Sequence, residues 1–134
     1  MEAVDAKVRI HSEADIVSAR QASREIALQV RFGATDMALI ATAVSELARN
    51  IWQYAGDGCI EMRIVERSAS KGISIVAHDD GPGIPDTEMA MRDGFSTGGG
   101  LGLGLPGTRR MMDEFELTSG PGKGTTVAVV KWLR

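Results

Sequence analysis

The stretch FSTGGGLGLGLPG, residues 95–107, carries six of the chain's sixteen glycines. Glycine loses more backbone freedom on folding than any other residue, at a cost of about 0.5–1 kcal/mol relative to alanine. Leucines alternate with these glycines, where a solvated linker would carry serines. Small residues that lead into a helix offer backbone N–H groups to an anion. The stretch therefore predicts main chain wrapped around a phosphate, with a flexible surface linker as the alternative.

Upstream, the sequence HDDGPGIP (residues 78–85) follows an alternating stretch that predicts a strand ending at Asp79. An ionised aspartate only accepts hydrogen bonds, which matches an exocyclic amino group such as that of adenine. Gly81 and Gly83 would let a flat ring lie close to the backbone. The alternative is an acidic turn, because Asp, Gly and Pro all favour turns.

Further upstream, SELARN (residues 45–50) places Glu46 and Asn50 four residues apart in a predicted helix, hence on one face. They lie at the edge of its apolar stripe, where both side chains could face a cleft. An amide oxygen suits Mg²⁺, which takes few protein ligands. A carboxylate one turn away could accept a proton from an attacking hydroxyl. A solvated polar face is the alternative.

The hydrophobic periodicity predicts four helices and five strands around these motifs. KVRIH (7–11) predicts a first strand, and a first helix should start near Ser12 with Asp15 in a capping box and stop at Gly33. Thr35 should cap the second helix, whose apolar stripe comprises Met37, Ile40, Val44, Leu47, Ile51 and Tyr54. CIEMRIVER (59–67) and KGISIVAHDD (71–80) read as an antiparallel hairpin joined through SASK.

The C-terminal third predicts a short helix around DTEMAMR (86–92) and another opening at LPGTRRMMDEF (105–115). Two strands around a glycine-rich turn follow in ELTSGPGKGTTVAVVKWLR (116–134). Helices packed on one face of a mixed, mostly antiparallel sheet make the expected fold α+β.

Composition narrows the function classes. A chain of 134 residues is expected to form one domain, residues 1–134. A net charge of −3 without a Lys/Arg cluster argues against a nucleic-acid partner. The single cysteine, Cys59, excludes a disulfide within the chain. No window of 18 consecutive apolar residues predicts a membrane span, so a cytoplasmic location is expected.

The order of these motifs resembles the GHKL ATP-binding fold, the nucleotide site shared by gyrase, Hsp90, histidine kinases and MutL. The matching elements are ELARN (46–50), DDGPG (79–83), GGGLGLG (98–104) and GKGTT (122–126). The small size, together with DGFSTGGGLGLGLPG (93–107), MDEF (112–115) and the terminal KWLR, resembles free-standing serine/threonine kinases of the anti-sigma type. Within that group, the resemblance is to the switch kinases of the bacterial stressosome.

The resemblance implies a role for each matching residue. Glu46 would be the general base toward the substrate hydroxyl, and Asn50 would hold Mg²⁺ against the ATP phosphates. Asp79 would bind the adenine amino group, with Gly81 and Gly83 shaping the pocket and Thr125 supporting the adenine side. The lid over the phosphates would comprise Ser96, Thr97, Gly98, Gly99, Gly100, Leu101, Gly102, Leu103 and Gly104. The cation at the γ-phosphate stays open among Arg49, Arg92, Arg109 and Lys123.

The resemblance also implies partners. The substrates would be STAS-domain stressosome scaffold and co-antagonist proteins, phosphorylated on Ser or Thr. The kinase would then leave them and activate a downstream phosphatase or cyclase. Three alternatives stay open: an anti-sigma factor that phosphorylates an anti-anti-sigma protein and sequesters a sigma factor, a non-catalytic ATP-gated binding module, and an ATPase that uses water as the nucleophile.

Overall fold

The helices and strands follow one another much as the periodicity predicts. The computed structural model describes residues 4–84, 91 and 104–134. Within these residues the elements are β1 (Ala6–Ile10), α1 (Ala14–Val30), α2 (Ala34–Tyr54), β2 (Gly58–Arg67), β3 (Ser70–Asp79), α3 (Gly104–Met111), β4 (Glu114–Ser119) and β5 (Thr125–Trp132). The short helix predicted around residues 86–92 lies outside the described residues except for Met91.

The five strands form one sheet in the order β1-β2-β3-β5-β4, and its four pairings are antiparallel. The predicted hairpin is confirmed, although its turn is only Ser68 and Ala69, with Ser68 at a φ of 57°. Both α1 and α2 pack on the sheet, and α3 packs on α2. The α+β fold class is confirmed.

The core lies between the helices and one face of the sheet. Ile60 of β2 pairs with Ala77 of β3, which pairs with Val127 of β5, and all three are buried. The next row on the same face lies two residues along each strand and consists of Met62, Ile75 and Val129. It is equally buried, because alternate side chains of a strand point to the same face. This face also carries Asp79 and Thr125 at one end of the sheet.

Helix α2 buries most of its predicted stripe. Ile40, Val44, Leu47 and Ile51 are each at most 2% exposed. Tyr54 was predicted to belong to the stripe, but it is the last helical residue and is 49% exposed. The buried stripe therefore ends one turn before the helix does. Within the described part of the chain, no helix is long and apolar enough to cross a membrane.

The helix boundaries differ from the prediction at three positions. The Asp15 carboxylate accepts a hydrogen bond from the Ser12 N–H, as a capping box requires. The Ser12 hydroxyl does not cap the helix, however, because it donates to the same carboxylate. Helix α1 ends at Val30, not near Gly33, because its C-cap Arg31 takes a left-handed φ of 73° and the next N–H, of Phe32, bonds to Ala27 O. Gly33 then serves as the N-cap of α2, which leaves Thr35 inside the first turn.

Candidate active site

Helix α2 places Glu46 and Asn50 one turn apart. Glu46 is 4% exposed and Asn50 is half-buried. Within the described ranges the Glu46 carboxylate has no hydrogen bond or ion pair. Every fully buried side-chain oxygen of these residues has a hydrogen-bond partner, so the oxygens of Glu46 must still reach solvent. A carboxylate with free lone pairs at the edge of the core can accept a proton from a hydroxyl group.

The Asn50 amide is also without a side-chain hydrogen bond among the described residues. In the same part of the chain, no group of three or more His, Cys, Asp or Glu side chains could hold a metal ion. An amide oxygen is a ligand that Mg²⁺ accepts beside water and phosphate oxygens. Asn50 thus fits an ion that takes one protein ligand and completes its shell with ATP phosphates and water.

Asp79 ends β3 with its side chain on the core face, where only 8% of the residue is exposed. Its Oδ1 accepts the Gly81 N–H at 2.9 Å, which fixes the carboxylate over the start of the loop. In the described residues, Oδ2 has no hydrogen-bond partner. Asp79 therefore offers one oriented, acceptor-only oxygen of the kind an exocyclic amino group requires.

The C-terminal end of α2 packs on the same loop. Gly81 lies against Ala55, so that a Cβ atom on Gly81 would come within 2.7 Å of the Ala55 Cβ. Gly58 fits between Ile51 and Asp79 in the same way: a Cβ atom on Gly58 would lie 2.7 Å from the Ile51 Cγ2 and 3.1 Å from the Asp79 Cβ. The end of the helix that carries Asn50 and the end of the strand that carries Asp79 are thereby brought together.

A second close packing joins this loop to the turn between β4 and β5. Gly83 has a φ of 79°, and a Cβ there would collide with the Gly120 carbonyl. The Gly122 N–H donates to Pro82 O at 2.8 Å across the same contact. Gly83 is thus needed for contact with protein main chain. That Gly81 and Gly83 also shape an adenine pocket stays a prediction.

Asp79, Thr125 and Ser119 form a row of cross-strand neighbours at this end of the sheet. The sequence singled out Thr125 but not Ser119, whose Oγ contacts Ile84 N, Gly124 O and Thr125 Oγ1 at 2.7, 2.9 and 2.9 Å. A serine before a Gly-Pro-Gly turn gives no local signal of these contacts, because they depend on which strand lies beside β4.

The predicted lid can be followed only at its last residue. Gly104 is the first residue of α3, while Ser96–Leu103 lie outside the described residues. The Thr108 hydroxyl donates to Gly104 O at 3.0 Å, and Lys131 Nζ donates to Met111 O at 2.9 Å. The first bond lies within helix α3, which continues the glycine-rich stretch, and the second ties the C-terminal end of that helix to β5.

The candidate cations for the γ-phosphate stay undecided. Arg49 is half-buried on α2, whereas Arg109 and Lys123 are exposed. Arg92 lies outside the described residues.

An open pocket of about 470 Å³ adjoins Asp79 and Gly81. It reaches the opposite face of the sheet, because the strand alternation points Cys59 and His78 away from the core. On its wall Arg9 Nε bonds to Asp57 Oδ1 at 3.1 Å, and this bond holds the pKa of Asp57 below its usual value. The pocket is lined by Lys7, Arg9, Ala55, Asp57, Gly58, Cys59, His78, Asp79, Asp80 and Gly81.

Comparison with known proteins identifies the family of the chain. Residues 35–134 match the family described as histidine kinase-, DNA gyrase B-, and HSP90-like ATPase. The chain is 56% identical to the serine/threonine-protein kinase RsbT of Bacillus subtilis (strain 168) over 95% of its length and 96% of that protein. It is 35% identical to the anti-sigma F factors of Thermoanaerobacter sp. (strain X514) and Thermoanaerobacter pseudethanolicus, over 73% of its length and 71% of theirs.

Proposed function

The chain belongs to the histidine kinase-, DNA gyrase B- and HSP90-like ATPase family and is an ATP-dependent serine/threonine-protein kinase, and we propose that its substrates are STAS-domain proteins of a stressosome. It would transfer the γ-phosphate of ATP to a serine or threonine hydroxyl of these scaffold and co-antagonist proteins. The kinship with RsbT supports the choice of substrate.

The observation that carries the proposal is the carboxylate of Glu46, which has no partner among the described residues and whose oxygens still reach solvent. Glu46 is only 4% exposed, so its carboxylate keeps limited contact with solvent, and it has no hydrogen bond among the described residues; the lost hydration is a cost to the fold. The cost is understandable if the group must accept a proton. Asn50 lies one helical turn away, where a metal-bound phosphate could be held beside the base.

In the proposed mechanism, Asp79 accepts the adenine amino group with its free Oδ2, and Gly81, Gly83 and Thr125 border the base. Asn50 would hold Mg²⁺, and the ion would supply neutralisation of the phosphate charge when bound. As the family resemblance implies, residues 96–104 would cover the phosphates. Glu46 orients the substrate hydroxyl and takes its proton as the oxygen attacks the γ-phosphorus and ADP leaves.

The kinase would then leave its phosphorylated substrates and activate a downstream effector, a phosphatase or a cyclase. We place this cycle in the cytoplasm. A second candidate function has its own support: the 35% identity to two proteins named anti-sigma F factor favours a kinase that also sequesters a sigma factor. A pull-down with purified sigma factor separates the two, since only the second candidate retains it.

The test is transfer of label from Mg-ATP labelled at the γ-phosphate to a purified STAS-domain protein. It compares the wild-type protein with Glu46→Gln and with Glu25→Gln, a control on the exposed side of α1. Label on serine or threonine that is lost only in Glu46→Gln supports the proposal. Label released as free phosphate would mean an ATPase, and nucleotide binding without turnover would mean a binding module.

A further inference from the structure

Ser119 occupies a junction of three segments at the edge of the candidate nucleotide site. It is the last residue of β4 and is the cross-strand neighbour of Thr125, which is in turn the neighbour of Asp79. Its Oγ contacts the loop after β3 through Ile84 N, the turn before β5 through Gly124 O, and the Thr125 hydroxyl. All three contacts are between 2.7 and 2.9 Å.

The direction of each hydrogen bond follows from the chemistry of the groups. A serine hydroxyl has one proton and two lone pairs. The Ile84 N–H can only donate, so it takes one lone pair of Ser119 Oγ. The Gly124 carbonyl can only accept, so it receives the Ser119 proton. In the remaining contact Ser119 must therefore accept, and the Thr125 hydroxyl must donate its proton to Ser119.

This assignment decides what Thr125 offers on its other side. With its proton directed at Ser119, Thr125 Oγ1 has only lone pairs left for a ligand or a water. Its neighbour Asp79 likewise offers only the acceptor Oδ2. The end of β3 and β5 then presents acceptors and no hydroxyl proton.

We propose that Ser119 is a positioning residue that sets base specificity: by taking the Thr125 proton, it makes this end of the sheet favour a 6-aminopurine over a 6-oxopurine. A 6-amino group donates two protons and matches two acceptors. A 6-oxo group is itself an acceptor and cannot pair with either of these groups at position 6, a mismatch against which a site discriminates. The inference rests on the proposed nucleotide site and adds to it the role of a residue outside the predicted set.

The test is calorimetric binding of ADP and IDP, which differ at position 6 of the purine. Without Ser119, Thr125 is free to turn its proton toward the base. In the Ser119→Ala variant, the ratio of the Kd for IDP to the Kd for ADP is expected to fall by about two- to tenfold, which is the effect of one hydrogen bond. Ser119→Thr keeps the hydroxyl and should keep the preference. In a Thr125→Val background, Ser119→Ala should change the preference no further.

The outcomes separate the inference from the function on which it rests. A Ser119→Ala protein that loses affinity equally for ADP and IDP would show a merely structural role and would overturn the inference. If Ser119→Ala does not fold, as judged by circular dichroism, the Thr125→Val variant tests the inference instead. An unchanged preference for ADP over IDP in Thr125→Val would also overturn the inference. A wild-type protein that binds neither nucleotide would overturn the proposed function and the inference with it.

Discussion

Gly124 lies directly against the main chain of Asp79, so that a Cβ atom on Gly124 would collide with the Asp79 carbonyl oxygen and lie 3.0 Å from the Asp80 Cα. Gly124 also has a φ of 73°, a conformation that L side chains rarely adopt. The turn before β5 and the loop that follows Asp79 are therefore packed backbone on backbone. The position of the Asp79 carboxylate depends on a glycine 45 residues away in the chain.

Replacement of Gly124 by alanine is expected to destabilise the fold by at least about 2 kcal/mol, since it adds a clash to the strain of a left-handed residue. Gly122→Ala is the matched control, because Gly122 has the same φ of 73° but open space around it. The control should cost about 1–2 kcal/mol from strain alone. Urea unfolding measures both, and equal losses would contradict the importance of the contact with Asp79.

Removal of the Glu46 charge should stabilise the protein while it abolishes transfer. Glu46 is 4% exposed and makes no hydrogen bond within the described residues, so Glu46→Leu should raise the free energy of unfolding by about 1 kcal/mol. Phosphoryl transfer should fall at least about 100-fold, as expected for loss of a general base. A loss of stability measured by thermal unfolding would mean that the carboxylate stabilises the fold.

Lys131 should stabilise α3, the helix that follows the predicted lid. Its side chain is 11% exposed, donates to the last carbonyl of α3 at Met111, and lies 3.9 Å from Asp36. Lys131→Met keeps the apolar stem but removes the charged donor, at an expected cost of about 1–3 kcal/mol. Lys71→Met, at a position 48% exposed, is the control and should change urea unfolding by less than about 0.5 kcal/mol. Similar effects of the two substitutions would contradict the role of Lys131.

The stability of the protein should fall in acid partly through Asp15. The His11 N–H lowers the pKa of Asp15 most; burial opposes this, and the hydroxyl and N–H of Ser12 add to the lowering. Since the folded-state pKa lies below the unfolded value of about 3.9, this stabilisation is present above that value and is lost as the pH falls through the folded-state pKa. Asp15→Asn should flatten the decline of Tm below about pH 5. Parallel Tm profiles for the two proteins would contradict this.

Local patterns were enough to predict most of the secondary structure of the described residues and the elements that carry Glu46, Asn50 and Asp79. The alternation in residues 59–67 and 71–80 predicted the hairpin, and the three- and four-residue spacing in α2 predicted the buried Ile40, Val44, Leu47 and Ile51. Helix ends were predicted less well. Arg31, not the nearby Gly33, takes the left-handed conformation, because the buried Phe32 is drawn into the core one residue after it.

The sequence by itself therefore determined the elements, the α+β class, and the residues of the helix face and strand end that carry Glu46, Asn50 and Asp79. Only the tertiary structure decided that β5 lies between β3 and β4, which places Ser119 and Thr125 in one row with Asp79. The physical reason is the separation along the chain of the residues that interact. Side-chain periodicity is a property of neighbours along the chain, whereas Ser119 bonds to groups that meet it only when the sheet is assembled.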